Sequence, residues 1–237
     1  MNILMIDTSG PACGVALSRD GKLVCELELT SGMTHSQRMM PMVDSALSMS
    51  GMTVGEIDLF GAVVGPGSFT GVRIGVSTVK ALAHASGKPC GGVDALEALA
   101  ANATGFDGVV CPILDARAQQ VYGAMFEAGF PPVRRMEDEA MKLTEYLDRV
   151  EAMGKRALFL GDGAAAFETL IRERMGEKAV FAPMQHAGLR AASALALLSH
   201  RAQAGEALED AFTMLPLYLR APQAERERAA REAAQHG

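Results

Sequence analysis

Gly65-Pro66-Gly67-Ser68-Phe69-Thr70-Gly71-Val72-Arg73-Ile74-Gly75 decides how this chain is read. An apolar run, Leu59 to Val64, precedes it and reads as a buried strand. An apolar segment, Val72 to Ala85, follows and reads as a helix. Glycines between them let the backbone adopt φ > 0 and approach another group closely. Ser68 or Thr70 can cap the unpaired N–H groups where the helix starts. A strand, a glycine-rich turn and a helix can also hold an anion at the helix N-terminus. The run lacks the Gly-Lys-Ser/Thr ending of a Walker A loop, and its spacing is not Gly-x-Gly-x-x-Gly.

Upstream, Ile3 to Asp7, Cys13 to Arg19 and Lys22 to Leu29 read as three strands, with Asp20-Gly21 as a hairpin turn between the last two. Ser36 to Met49 reads as a helix ended by Gly51. Ile57 to Val64 is the next strand, and Gly87 caps the helix that begins at Val72. Pro89 to Val93 reads as a strand and Ala95 to Ala103 as a helix. A three-strand meander followed by helix, strand, helix, strand, helix is the order of an RNase H-like lobe: a mixed sheet with helices on its faces.

The second half reads as a poorer copy. Gly108 to Asp115 and Val121 to Glu127 are strands, and Pro131-Pro132 breaks the chain after them. Thr144 to Met153 reads as a helix capped by Thr144, Ala157 to Leu160 as a strand, and Ala164 to Met175 as a helix. Ala187 to Ala204 is a further helix, closed by Gly205, and Leu215 to Leu219 is extended. Two such lobes form the actin-like ATPase (ASKHA) fold, so the expected class is α/β with two RNase H-like lobes. The expected boundary lies near Thr104-Gly105. It gives an N-terminal lobe over 1–104, a C-terminal lobe over 105–222 and a charged tail over 223–237. Glu227–Arg231 and Arg228–Glu232 pairs suit an exposed helix in that tail.

The chain has 237 residues, 49% of them hydrophobic, which is ample for one large domain or two lobes. Its net charge of −6 disfavours stand-alone nucleic-acid binding, because phosphate contacts need clustered Lys and Arg. No apolar run approaches the roughly 18 residues of a membrane span. Met1 to Asp7 lacks a charged leader and reads as the first strand, so a cytoplasmic location is expected. Cys13, Cys25, Cys90 and Cys111 form no Cys-x-x-Cys pair and are expected as buried free thiols. The 5 histidines are scattered with none at i, i+4, so no metal site is expected.

Three turns invite a nucleotide reading. Asp7-Thr8-Ser9 closes the first strand, where actin-like kinases place an acidic residue and a hydroxyl for magnesium and phosphate. The same short side chains can simply bond the turn's own backbone. Asp115-Ala116-Arg117 follows the second lobe's first strand, where such ATPases carry an Asp-x-Gly-type turn. Arg117 is bulky there, and Asp115 can pair with Arg117 or a strand end instead. Gly161-Asp162-Gly163-Ala164 stands where a glycine pair contacts adenosine in these enzymes, and also suits an ordinary strand-to-helix turn. Asp7, Thr8, Ser9, Asp115, Gly161 and Gly163 are therefore candidates for vestigial nucleotide loops. No catalytic residue is assigned.

The helix from Ser36 is apolar over most of its circumference, through Met39, Met40, Met42, Val43, Ala46, Leu47 and Met49. In the helix from Val72, Val72, Val76, Val79 and Ala83 form one line, while Ile74, Ala81, Leu82 and Ala85 lie elsewhere. Gly71 and Gly75 would let another backbone approach closely. Either the chain covers both faces itself, or a partner covers one. Met-rich surfaces suit adaptable protein contacts.

The glycine run and Asp7-Thr8-Ser9, with Asp115-Ala116-Arg117 and Pro216-Leu217-Tyr218-Leu219-Arg220, resemble the TsaB (YeaZ) family. Its members are bacterial partner proteins in threonylcarbamoyladenosine modification of tRNA. The likeness is densest from Met1 to about Glu127 and thinner beyond. The catalytic relative, TsaD, is similar to Gly92–Leu99 but carries His-x-x-x-His, two imidazoles on one helix face that bind a metal. The matching positions here are Ala95 and Leu99. The resemblance implies a non-catalytic scaffold of TsaD, which transfers threonylcarbamoyl from its adenylate to N6 of adenosine 37 in ANN-decoding tRNAs. TsaC makes that adenylate. The resemblance also implies a helical bundle with TsaD through Met39, Met40, Val43, Leu47, Val72, Val76, Val79 and Ala83. It implies recruitment of the ATPase TsaE, tRNA contact only through the complex, and ATP and metal on the partners rather than on this chain. The rivals are an actin-like kinase, a metal-dependent hydrolase and a homodimer with a regulatory or proteolytic role.

Overall fold

The computed structural model describes residues 1–220. The expected tail over 223–237 lies outside the described residues. β1 (Ile3–Asp7), β2 (Cys13–Arg19) and β3 (Lys22–Leu29) form the meander with the expected bounds. Asp20 and Gly21 both take positive φ, 51° and 74°, which matches the tight turn's twist to that of the strands. α1 (His35–Met49) starts where the Thr34 N–H donates to Gln37 Oε1 at 3.0 Å. β4 (Leu59–Gly65) leads into α2 (Phe69–Ser86), and β5 (Cys90–Asp94) into the short α3 (Ala95–Ala100). Of the two expected caps of α2, Ser68 serves: the Gly71 N–H donates to Ser68 Oγ at 3.2 Å, so the helix begins three residues earlier than expected.

The second half contains β6 (Val109–Asp115), β7 (Gln120–Glu127), β8 (Val133–Lys142), α4 (Leu143–Ala152) and β9 (Ala157–Leu160). After these come α5 (Asp162–Ala166), α6 (Glu168–Met175), β10 (Ala179–Phe181), α7 (Met184–Ala187) and α8 (Ala191–Gln203). Several expectations are corrected here. β8 and β10 were not expected. The helix expected over Ala164–Met175 breaks at Phe167 into α5 and α6. Lys142, not Thr144, occupies the N-cap of α4, because β8 runs directly into that helix.

The two sheets share one topology. The first has the order β3-β2-β1-β4-β5, and the second, read from its other edge, β8-β7-β6-β9-β10. In each, the first three strands are antiparallel and the last two join in parallel. Both are therefore RNase H-like sheets, and the second half copies the first more faithfully than its sequence suggests.

Alternation along the central strands distributes the core. Leu4 and Ile6 of β1 face α1 and α2, while Ile3 and Met5 face α3 and α8. In the second lobe Val110 and Leu114 of β6 face that same middle layer, while Val109, Cys111 and Ile113 face α4 and α6. The layers thus run α1 and α2, first sheet, α3 and α8, second sheet, α4 and α6. α8 is held to the first lobe: Arg190 pairs with Glu26 of β3, and the Ala192 N–H donates to Glu26 Oε1 at 3.0 Å. Cys90 and Glu209 then exchange two backbone hydrogen bonds of 2.9 Å along β5. α8 and the stretch to Glu209 therefore pack with the first lobe, although they fall within the span 105–222.

Candidate functional site

The sequence-predicted turns lie around a cleft between the lobes of about 720 Å³. Ser9, Ser68 and Phe69 line its first-lobe side, and Asp115, Arg117 and Asp162 its second-lobe side. Asp7 and Thr8 lie behind that surface, both buried. The Asp7 carboxylate accepts from the Ser9 N–H at 2.8 Å and from Ser9 Oγ at 2.7 Å. Burial pushes Asp7 up to about 6; the bonds from Ser9 oppose the shift and the Glu28 charge adds slightly to it.

The glycine run closes against this turn. Thr8 Oγ1 donates to the Gly71 carbonyl at 2.7 Å, and the Ser68 N–H donates to the Ser9 carbonyl at 2.7 Å. A Cβ on Gly71 would overlap the Thr8 carbonyl oxygen, and one on Gly67 the Ser9 carbonyl oxygen. The close approach expected at Gly71 and Gly75 is therefore made by the chain's own first turn, not by a partner. The two elements read as a phosphate grip satisfy each other's backbone.

The second-lobe turns are likewise occupied. Asp115 Oδ1 accepts the Arg117 backbone N–H at 2.7 Å, so the expected pairing is with the backbone rather than the guanidinium. Asp162 Oδ1 accepts the Asp115 N–H at 3.0 Å, and burial raises its pKa. Arg117, Ala118 and Gln119 all take left-handed φ, at 63°, 52° and 57°. Gly161 and Gly163 are buried against β6, and a Cβ on Gly161 would overlap the Ile113 carbonyl oxygen. These glycines serve the strand-to-helix turn.

Sequence reasoning missed the aromatic rim of the cleft. The Phe69 and Tyr218 rings lie 4.9 Å apart, and the Arg73 guanidinium sits 4.5 Å over Phe69. His35 Nε2 donates to the Gly10 carbonyl at 3.0 Å, leaving Nδ1 to accept from Arg38 at 3.2 Å. Burial, then the Arg38 charge, lowers the His35 pKa. Pro216 to Arg220 stood out in sequence, but nothing local signalled its place beside Phe69.

Of the eight residues expected to face a partner, seven face inward. Met39, Val43, Leu47, Val72, Val76, Val79 and Ala83 are buried in the core between α1, α2 and the first sheet. Only Met40 is exposed, at 39%. The correction follows from which line of each helix the sheet selects: it takes the branched line Val72, Val76, Val79. The apolar remainder is Met40 and Met49, exposed on opposite flanks of α1, with Ala81 and Ala85 exposed on α2 and Ile74 and Leu82 half-buried there against the core. Ala95 and Leu99, the positions that match the TsaD histidines, are fully buried in the middle layer. Burial pushes the thiols of Cys13 and Cys90 up to about 11 and that of Cys111 to about 12, while Cys25 is half-buried. No helix among the described residues is long and apolar enough to cross a membrane.

Paired sheets of one topology around a cleft define a two-lobed protein of the actin-like ATPase class. The family model of TsaD, tRNA N6-adenosine threonylcarbamoyltransferase, matches residues 30–228. The tRNA threonylcarbamoyladenosine biosynthesis protein TsaB of Bacillus subtilis (strain 168) is 34% identical over 95% of this chain and 96% of its own length. The Escherichia coli (strain K12) protein of the same name is 35% identical over 73% of this chain and 76% of its own length. The solved structure of YeaZ from Pseudomonas aeruginosa superposes with a TM-score of 0.75 at 27% identity, covering 92% of this chain and 99% of that one. The chain belongs to the TsaB (YeaZ) family.

Proposed function

We propose that this chain acts in N6-threonylcarbamoylation of adenosine 37 of ANN-decoding tRNAs, as a non-catalytic partner of a TsaD-type transferase. One observation carries the reading. α2 spends one line on its own sheet and still presents Ala81 and Ala85 outward beside the half-buried Ile74 and Leu82, while Met40 and Met49 stand exposed on two flanks of the neighbouring α1. Such a face on two adjacent helices suits a bundle with two helices of a related lobe. Family membership supports a TsaD-type protein as that relative. The closed turns around Asp7 and Gly161, and the packed Ala95 and Leu99, support a lobe that keeps the frame and leaves metal and ATP to its partners. TsaE recruitment, tRNA contact through the complex and a cytoplasmic location belong to the same reading, and a homodimer through the same face is its form without TsaD.

Gel filtration of this chain with TsaD from the same organism tests it. The wild-type pair should co-elute. Ala81→Glu or Ala85→Glu should abolish co-elution without unfolding the chain, since both are exposed on α2 and a few central residues carry most of an interface's affinity. A complex indifferent to both substitutions would remove the helix face from the reading. Phosphate release from ATP by the pure chain, lost on Asp7→Asn, would favour the kinase rival instead.

A further inference from the structure

The stretch Phe212–Arg220 forms neither helix nor strand, yet it follows α2 from end to end and finishes on the other lobe. The Phe212 ring meets His84 edge-on near the helix C-terminus, with centroids 5.4 Å apart. Lys80 Nζ donates to the Met214 carbonyl at 3.0 Å, one turn earlier. The Leu217 N–H donates to the Val64 carbonyl at 2.7 Å, and the Tyr218 ring lies on Phe69 in the first turn of α2. Arg220 then crosses the cleft, where its Nη1 donates to the Ala116 carbonyl at 3.2 Å. The spacing fits: six residues reach up to roughly 20 Å, and the fifteen helical steps from His84 back to Phe69 cover about 22 Å.

The hold on this segment is uneven. Met214 is fully buried and anchors it to the first lobe. Beyond Met214, the side chains of Leu215, Leu217 and Tyr218 are 68%, 37% and 42% exposed. A segment with little buried apolar surface opens locally far below the free energy of global unfolding. At its far end stands the hairpin of Arg117, Ala118 and Gln119, whose left-handed backbone is disfavoured for residues with a Cβ. The carbonyl that Arg220 grips belongs to Ala116, the first residue of that hairpin. Leu217, Tyr218, Leu219 and Arg220 also form one wall of the cleft.

We infer that residues 215–220 are a latch across the interlobe cleft. Closed, the latch fixes the spacing of the lobes and seals one wall of the space between them. Released from Met214 onward, it frees the strained hairpin and opens the cleft. The latch does not depend on the proposed TsaD partnership, although anything docked on the outer face of α2 lies beside it.

The test uses the full chain and two variants: the double substitution Tyr218→Ala with Arg220→Ala, and Leu217→Pro, which removes the one donated backbone N–H. Hydrogen exchange read by mass spectrometry should quicken at least about tenfold over 66–70 and 115–121, with β1 and β6 protected as in the wild type. Spin labels at Thr70→Cys and Arg117→Cys, in a Cys25→Ser background, should move apart and broaden in both variants. Unchanged exchange and unchanged distances would overturn the latch. So would a uniform loss of protection across β1 and β6, since the segment would then be part of the core.

Discussion

Asp7 is a carboxylate placed where water does not reach, and its two bonds from Ser9 only partly offset that. Its folded pKa of about 6 lies above the 3.8 of the free side chain. The folded state therefore holds the proton more tightly. The contribution to stability is fully present below about pH 4 and is lost as pH rises through about 6. At neutral pH the ionised form costs up to about 3 kcal/mol. Asp7→Asn keeps an acceptor for Ser9 and removes the charge. Urea unfolding at pH 7.5 should give the variant a higher midpoint, with a gain of about 1–3 kcal/mol that shrinks towards pH 4.5. An unchanged or lower midpoint at pH 7.5 would mean that the charge is compensated by something other than Ser9. The residues of this turn were legible in sequence, but their partners were not. Gly71 and Thr8 are far apart in the chain, and only the folded lobe reveals that the glycine's missing side chain makes room for the Thr8 carbonyl oxygen.

Elements were legible where local chemistry decided them. The meander was read to the residue, because alternation and Asp20-Gly21 specify it without help from the rest of the chain. β8 was not, because Val133-Arg134-Arg135-Met136-Glu137-Asp138-Glu139 looks like a solvated charge run. It is an edge strand whose charges are paired across elements: Arg135 with Glu127 at 2.6 Å and Arg149 with Glu139 at 2.8 Å. Charged side chains on an edge also discourage pairing with another molecule. α2 was read as a helix with two apolar lines, but periodicity does not say which line the sheet takes. The two lines make opposite predictions. Val76→Glu or Leu47→Glu buries a carboxylate in the core and should cost several kcal/mol. Either variant should lose its cooperative thermal transition or melt far below the wild type by circular dichroism. Ala81→Glu, on the outer line, should shift the midpoint by less than about 0.5 kcal/mol in equivalent stability. Equal losses from both lines would mean that the outer line is also covered within the chain.

At the scale of the whole molecule, the two lobes meet through charge as well as through the middle layer. Arg134 of β8 pairs with Asp138 and reaches Asp94 at 3.5 Å on the other lobe. Burial, then the neighbouring Asp138 carboxylate, holds Asp94 well above the usual carboxylate range, more than Arg134 and the Glu97 N–H lower it. A folded pKa above the unfolded one gives stability that is present in acid and lost as pH rises through the folded value. The melting temperature should therefore fall between pH 7 and pH 9. Asp94→Asn retains a good helix cap and should remove that fall; a variant that falls like the wild type would trace the loss elsewhere.

Charge on this scale also governs what the chain can hold. The net charge is −6, and many of the described arginines are already committed to carboxylates: Arg134, Arg135, Arg149, Arg172, Arg174, Arg190 and Arg201 all form ion pairs. The stretch Arg226–Arg231 lies outside the described residues, and Glu225, Glu227 and Glu232 offset its charge. The carboxylates in excess therefore repel a polyanion. Alone, this chain should bind tRNA no tighter than about micromolar at near-physiological salt, and what binding there is should fall steeply as salt rises. With TsaD present, binding should tighten and the salt slope should become that of the complex. Fluorescence anisotropy of labelled tRNA, titrated with this chain, with TsaD and with both, reads all three. Micromolar or tighter binding by this chain alone, persisting at raised salt, would give it a direct share in RNA recognition and overturn the scaffold reading.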